Sequence, residues 1–346
     1  MKIMRKGIKI FSVVLMAVAL LVGCSRPSGK ENNDNVVSDN IIITETGEVI
    51  QKEPKLTEKP VDTEQIEAES ADKSESVISE IQLTEPEQEQ VVTEDDQIMS
   101  SGSNLQIVFL GDSIFDSNRD GTGVPYLTAK QCAADLYNLA IGGTSASIDI
   151  DEQRENELWT STSLMGVIKA MEGDIPTDIF QGTRTKELLD DTDIDWSVTD
   201  YFVVEYGLND FFKAAPLSND ENGYDMATYA GALRCAVSTL KSIAPDATVI
   251  LCGPNYARFF SGNWMIGDGN TLNTGYGTLA DYKGICEYIA GEQQAEFFDA
   301  YLGLGIDGYT AEEYLEDGVH LTEAGRQLYA DALARKILDY EKNKNN

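Results

Sequence analysis

His320 is the sole histidine among 346 residues, and Asp317 stands three positions before it. In a turn or a first helical turn that spacing brings a carboxylate within reach of an imidazole. Such a pair is what a serine needs to become a nucleophile, since a hydroxyl is weak until an adjacent base takes its proton and an acid orients the base. Ser113 is the candidate, at the end of Ile107-Val-Phe-Leu-Gly-Asp-Ser113. Acyl transfer also needs preorganised donors for the developing oxyanion. The backbone N–H groups of Ser113 and Gly143 and the side-chain amide of Asn209 are three candidates, with Gly142 an alternative to Gly143. Each residue has an ordinary role to weigh beside this one. Ser113 could cap a helix, Asp317 could sit in a turn, and Asn209-Asp210 is common turn chemistry. Gly143 could be needed only for a positive φ. Asp112 and Asp210 read as structural, bonding nearby backbone N–H groups, and Asp116 has no evident role.

These residues need elements to bring them together. Apolar β-type runs alternate with helical-period segments from about residue 104 onward, which indicates βαβ units and a parallel sheet. Strands are expected over 106–110, 136–140, 201–205, 248–252 and 296–299. Helices are expected over 124–134, 163–171, 226–243, 279–289 and 323–342. Tyr201-Phe-Val-Val204 and Val249-Ile-Leu251 are the most apolar runs and should be central strands. In an open parallel sheet the loops at the strand C-termini share one edge, where ligands bind. Gly111-Asp-Ser113, Asn138-Leu-Ala-Ile-Gly-Gly143 and Gly207-Leu-Asn-Asp210 end three of these strands, and Asp317-Gly-Val-His320 lies in the last loop.

Taken in order, these four stretches resemble the blocks of the SGNH (GDSL-type) hydrolase superfamily. Ser113, Gly143, Asn209 and His320 fall on its Ser, Gly, Asn and His positions, and Asp317 on the acid of its final block. The resemblance spans the whole globular part. It implies a flavodoxin-like three-layer α/β/α fold with a parallel sheet of about five strands, order 2-1-3-4-5. It implies esterase or related acyl-transfer activity with a Ser113–His320–Asp317 triad, an oxyanion hole from Ser113, Gly143 and Asn209, and neither metal nor cofactor. Counted from Asn138, Gly143 rather than Gly142 matches the family glycine. One departure is Leu321 after the histidine, where the family often has proline. Leu321 and Thr322 should open the last helix, with Thr322 as its N-cap.

Residues 1–24 read as an export signal. Lys2, Arg5, Lys6 and Lys9 precede the apolar run Ile10–Val22, which at about 13 residues is short of the ~20 that span a bilayer. Leu21-Val-Gly-Cys24 resembles a lipobox, which would make Cys24 a lipidated residue and the protein anchored outside the membrane rather than spanning it. Residues 25–103 are rich in Glu, Asp, Ser and Thr, too polar to form a core, and read as a disordered tether. Ile41–Ile43 is too isolated to nucleate one. Residues 104–346 suffice for one α/β domain, expected to be a monomer.

With 59 Asp and Glu against 26 Lys and Arg, the net charge is −33. That excludes phosphate backbones as natural partners. Cys132, Cys235, Cys252 and Cys286 lack metal-ligand spacing and read as free thiols. Two loop-rich stretches, 145–199 with Trp159 and 254–278 with Tyr256, Phe259, Phe260, Trp264 and Tyr276, flank the site edge. Such aromatics suit a sugar ring, and equally suit the interiors of their own loops. The expected function is a cell-surface serine esterase acting on short acyl, above all O-acetyl, esters of a carbohydrate or on a small ester. The alternatives are an O-acyltransferase acting on a wall or secreted polysaccharide, and a non-catalytic glycan-binding lipoprotein.

Overall fold

The computed structural model describes residues 105–344 and, before them, the backbone of residues 41–43, 49–51 and 98–99. The expected signal, Cys24 and nearly all of the expected tether lie outside the described residues. Where the tether is described, Ile41–Ile43 pairs antiparallel with Val49–Gln51. The three isoleucines thus form a strand, as β-branched runs favour.

Five parallel strands make the main sheet. They are β1 (Gln106–Gly111), β2 (Asp135–Asn138), β3 (Tyr201–Glu205), β4 (Thr248–Cys252) and a last strand, Glu296–Phe298. Between β4 and that last strand runs an antiparallel hairpin, β5 (Arg258–Ser261) and β6 (Trp264–Asp268), so the last strand is β7. The sheet order is 2-1-3-4-7, which is the expected topology. Ile98–Met99 adds an antiparallel edge strand on β2, so sheet pairing begins before residue 104.

β1 and β3 are central and almost entirely buried, as their unbroken apolar runs require. Each large side chain removed from water there contributes roughly 1.5–3 kcal/mol before the entropy of ordering is counted. The connections between parallel strands carry helices that cover both faces. On one, α2 (Val124–Cys132) packs against α9 (Glu323–Lys344); on the other, α3 (Leu164–Met171) packs on α6 (Tyr229–Ile243), and α6 on α7 (Leu279–Glu292).

Differences from the expected elements have local causes. Strand β2 stops at Asn138 because that side chain turns the backbone, donating to Phe115 O and accepting from Ala140 N–H. Helix α2 ends before Ala133, which is left-handed at φ 50°. α6 starts late, where the Thr228 hydroxyl accepts Gly231 N–H. Short helices carry no periodicity long enough to read, and four were not expected: α1 (Ser113–Asp116), α4 (Arg184–Leu189), α5 (Leu208–Phe212) and α8 (Ala311–Tyr314). Thr322 does cap α9, its hydroxyl accepting Gly325 N–H at 3.1 Å.

Among the described residues no helix is long and apolar enough to cross a membrane. The four described cysteines are unpaired, and Cys132, Cys252 and Cys286 are buried.

Candidate active site

Ser113 is the first residue of α1, directly after β1 and its N-cap Asp112. The strand thus delivers the hydroxyl to the C-terminal edge of the sheet. Asp112 is fully buried, and its Oδ1 accepts Ile114 N–H at 3.0 Å. The Ser113 hydroxyl lies 2.9 Å from His320 Nε2, and His320 Nδ1 lies 2.7 Å from Asp317 Oδ2. The carboxylate fixes the tautomer, because Nδ1 must carry the proton to donate to it. Nε2 is then the acceptor for the Ser113 O–H. Asp317 Oδ1 also accepts the N–H groups of His320 at 2.8 Å and Val319 at 2.9 Å. One carboxylate therefore shapes the loop and orients the ring.

That loop is braced from three sides. Asn255 donates its amide to Val319 O, Arg258 N–H donates to Gly318 O, and Arg326, at the start of α9, donates to Leu321 O. The hydrogen bond to Asp317 raises the His320 pKa above 6.5, with burial opposing it. Burial pushes the Asp317 carboxyl up, but the bonds from the His320 ring and from the two N–H groups outweigh it and hold Asp317 below the usual value.

The glycine pair after β2 is resolved by Asp116, which had no evident role in the sequence. Asp116 Oδ2 accepts Gly142 N–H at 2.7 Å, so that donor is taken. Gly143, at φ +77°, lines the open cleft with its N–H unpartnered among the described residues. The Ser113 N–H is likewise unpartnered. Arg119 ties this corner together, donating to Asp116 Oδ1 at 2.6 Å, to Asn138 O and to Ala140 O. A cue was present: Asp116 is three residues after Ser113 on the same short helix.

Asn209 sits on α5 beside the same cleft, nearly buried. Both of its amide hydrogens are engaged, one by Thr144 O at 2.9 Å and one by Asp112 Oδ2 at 3.1 Å. Asn209 is therefore near the other two donors but not free in this structure. Asp210 holds the opposite wall: its carboxylate accepts the N–H groups of Ala146 and Ser147, each at 2.9 Å. These partners are 64 and 63 residues away in sequence, so Asp210 is structural as expected but its partners are not local. Gly207 allows the turn into α5. At φ +137°, a Cβ there would lie 2.9 Å from the Tyr229 hydroxyl.

One cleft is lined by Gly143 and Asn209 and a second by the serine itself. The first, about 420 Å³, opens past Gly143 and Asn209 between Ser145, Ser163, Asp149 and Lys213. The second, about 160 Å³, lies between Ser113, Ile114, His320 and Arg326. The flanking aromatics divide into buried and exposed ones. Trp159 is buried and donates to Ser161 O, while Phe259 stacks on Phe211 at 5.1 Å. Trp264 on the β5–β6 hairpin is 80% exposed and Tyr276 is 54% exposed.

The structure thus brings the Ser113 hydroxyl, the His320 imidazole, the Asp317 carboxylate and two N–H groups unpartnered among the described residues to one edge of the sheet. A search of curated proteins finds no match. Among solved structures, one crystal structure aligns with a TM-score of 0.51 at 19% identity, covering 68% of this chain and 97% of that one. A possible lipase from Chitinophaga pinensis DSM 2588 aligns at 16% identity over 68% of this chain and 99% of its own, with a TM-score of 0.47. Axe2, an acetylxylan esterase from Geobacillus stearothermophilus, aligns at 19% identity over 69% and 96%, with a TM-score of 0.43. At 19% identity the first of these is a likeness of fold alone. The GDSL-like lipase/acylhydrolase family model matches residues 109–328, from within β1 into α9, and so takes in all five residues of the site. A match over more than half of the sequence, on the fold and residue order described above, places this chain in the GDSL-like lipase/acylhydrolase family.

Proposed function

We propose that this protein is a serine esterase that removes short acyl groups, above all acetyl, from a carbohydrate. The observation that carries the reading is the unbroken Ser113–His320–Asp317 hydrogen-bond chain beside the free N–H groups of Ser113 and Gly143. Ser113 Oγ attacks the ester carbonyl while His320 Nε2 takes its proton. Asp317 stabilises the imidazolium that forms. The N–H groups of Ser113 and Gly143 bind the oxyanion. Asn209 joins them by yielding or sharing its bond to Thr144 O. As the intermediate collapses, His320 passes the proton to the leaving alkoxide and an acyl-serine remains. Water, deprotonated by His320, then releases the acid and restores the serine.

The walls favour a polar substrate. Serine and threonine residues, Asp149, Glu152 and Lys213 line most of the larger cleft, with Phe212 beside them. Exposed Trp264 and Tyr276 offer faces for sugar rings. The expected lipid on Cys24 would hold the enzyme outside the membrane, on the substrate's side. The test is acetate release from acetylated polysaccharides by the full-length protein. Free acetate that requires Ser113 supports the reading. Acetyl moved to an acceptor glycan without free acetate replaces hydrolysis with transfer, and affinity for glycans without any turnover replaces both with binding.

A further inference from the structure

Beneath the nucleophile lie buried acids that the mechanism above does not use. Glu205 ends β3, in register beside Gly111 at the end of β1. Its side chain is fully buried. Neither carboxyl oxygen has a hydrogen-bond donor among the described residues. A carboxylate left in that state is costly, since burial removes its water and nothing replaces it. The group within hydrogen-bonding reach is the Asp112 carboxyl.

Two ionised carboxylates in contact cannot bond to each other, as both only accept. One proton between them removes the repulsion and satisfies both. Asp112 is the member suited to stay ionised. It accepts Ile114 N–H and the Asn209 amide, and bonds to the charged form favour that form. Glu205 has no such donors. The other ionisable groups around Glu205 are Asp210 on α5, Tyr206 after β3, Tyr229 on α6, Cys252 on β4, Cys286 on α7 and Tyr329 on α9. His320 when protonated is the cation acting on Asp112, and Lys213 the one acting on Asp210.

We infer that Glu205 is a positioning residue: its carboxyl keeps a proton and donates it to the Asp112 carboxylate, which is thereby fixed to cap α1 at Ser113 and to hold the Asn209 amide. The role rests on the esterase function proposed above. Burial, then the Asp112 charge, hold the Glu205 carboxyl well above the usual carboxylate range, in keeping with a retained proton.

Three readouts on the full-length protein test it, two of them independent of turnover. Infrared spectra at mildly alkaline pH should contain a carboxylic-acid C=O band that shifts on carboxyl-13C glutamate labelling and is lost in Glu205→Gln. The side-chain amide resonances of Asn209, identified by their loss in Asn209→Ala, should keep their positions in Glu205→Gln and move in Glu205→Leu. In Glu205→Gln, whose amide N–H can replace the shared proton, kcat should stay within about threefold of the wild type. In Glu205→Leu, kcat should fall about tenfold or more while KM stays within about twofold, because only donors aimed at the transition state are disturbed. A wild type lacking the glutamate acid band overturns the inference, as does Leu matching Gln in kcat and in the Asn209 resonances. If Glu205→Leu does not fold, the infrared band and the Gln variant decide. If the wild type hydrolyses no acetyl ester, the esterase function fails, and the infrared and resonance readouts alone decide the role of Glu205.

Discussion

At the scale of single residues, Asp317 has two effects that can be separated by pH. The proposed base works only with Nε2 of His320 unprotonated. The bond from Asp317 raises the His320 pKa above 6.5, so kcat/KM should fall as pH drops through a value above 6.5. In Asp317→Asn the maximal rate should drop, and the acid limb should move to lower pH because its main cause has gone. A pH–rate profile of both proteins checks this. Asp317→Ala should cost about tenfold less in kcat than His320→Ala, since the braces from Asn255, Arg258 and Arg326 still hold the loop that carries the imidazole. Asp317 and His320 were legible from residue type and a three-residue spacing, and Ser113 from its place just past an apolar strand. Glu205 and Arg119 were not, because their partners lie far off in sequence and a buried acid in a strand looks like any strand residue. The occupied state of the Asn209 amide was equally hidden, as only coordinates show which carbonyls face it.

At the scale of elements, short connections position the site and long helices support them. Asp116 and Arg119 fix the corner after β2 to α1, so that Gly142 is tied and Gly143 left free. Arg119→Ala should therefore lower kcat/KM by about tenfold while the Ser113–His320 bond stays formed, an effect comparable to losing a charged hydrogen bond. Steady-state kinetics with a structure of the variant would check it. Thr322→Ala should cost about 1 kcal/mol of stability through the lost cap on α9, measured by chemical denaturation. Long apolar runs and the long helices were legible, because period and length repeat the signal over many residues. The β5–β6 hairpin was read as loop, since Gly262-Asn263 looks like loop chemistry and its exposed Trp264 and Met265 show no inward alternation. Pairing of Ile98–Met99 on β2 escaped notice because two residues carry no period.

At the scale of the whole molecule, the site rests on buried acids, and their protons couple function to stability. Burial foremost raises Asp112 to about 6 and lifts Glu205 and Asp210 above their ordinary values. The unfolded chain ionises these groups at its ordinary, lower values, so between the two the folded state binds more protons. Stability from this source is present at low pH and falls as pH rises towards the folded values. Glu205→Gln has no such proton to hold at that position. Its melting temperature relative to the wild type should rise as pH is raised from about 4.5, the ordinary glutamate value, into the neutral range. Thermal unfolding against pH would show it, and a gap that does not change with pH would place no retained proton on Glu205. Parallel topology and the edge on which the site lies were legible in the order of strands, helices and glycine turns. The buried acid layer was not, because it arises only where β1, β3 and α5 meet.

The most direct measurement is acetyl-ester hydrolysis by the full-length protein beside Ser113→Ala and His320→Ala, each confirmed as folded. The expected result is turnover by the wild type and a loss of about 10⁴-fold or more in both variants. Turnover that survives either substitution, or a wild type inert towards every acetyl ester offered, would contradict a Ser113–His320 esterase.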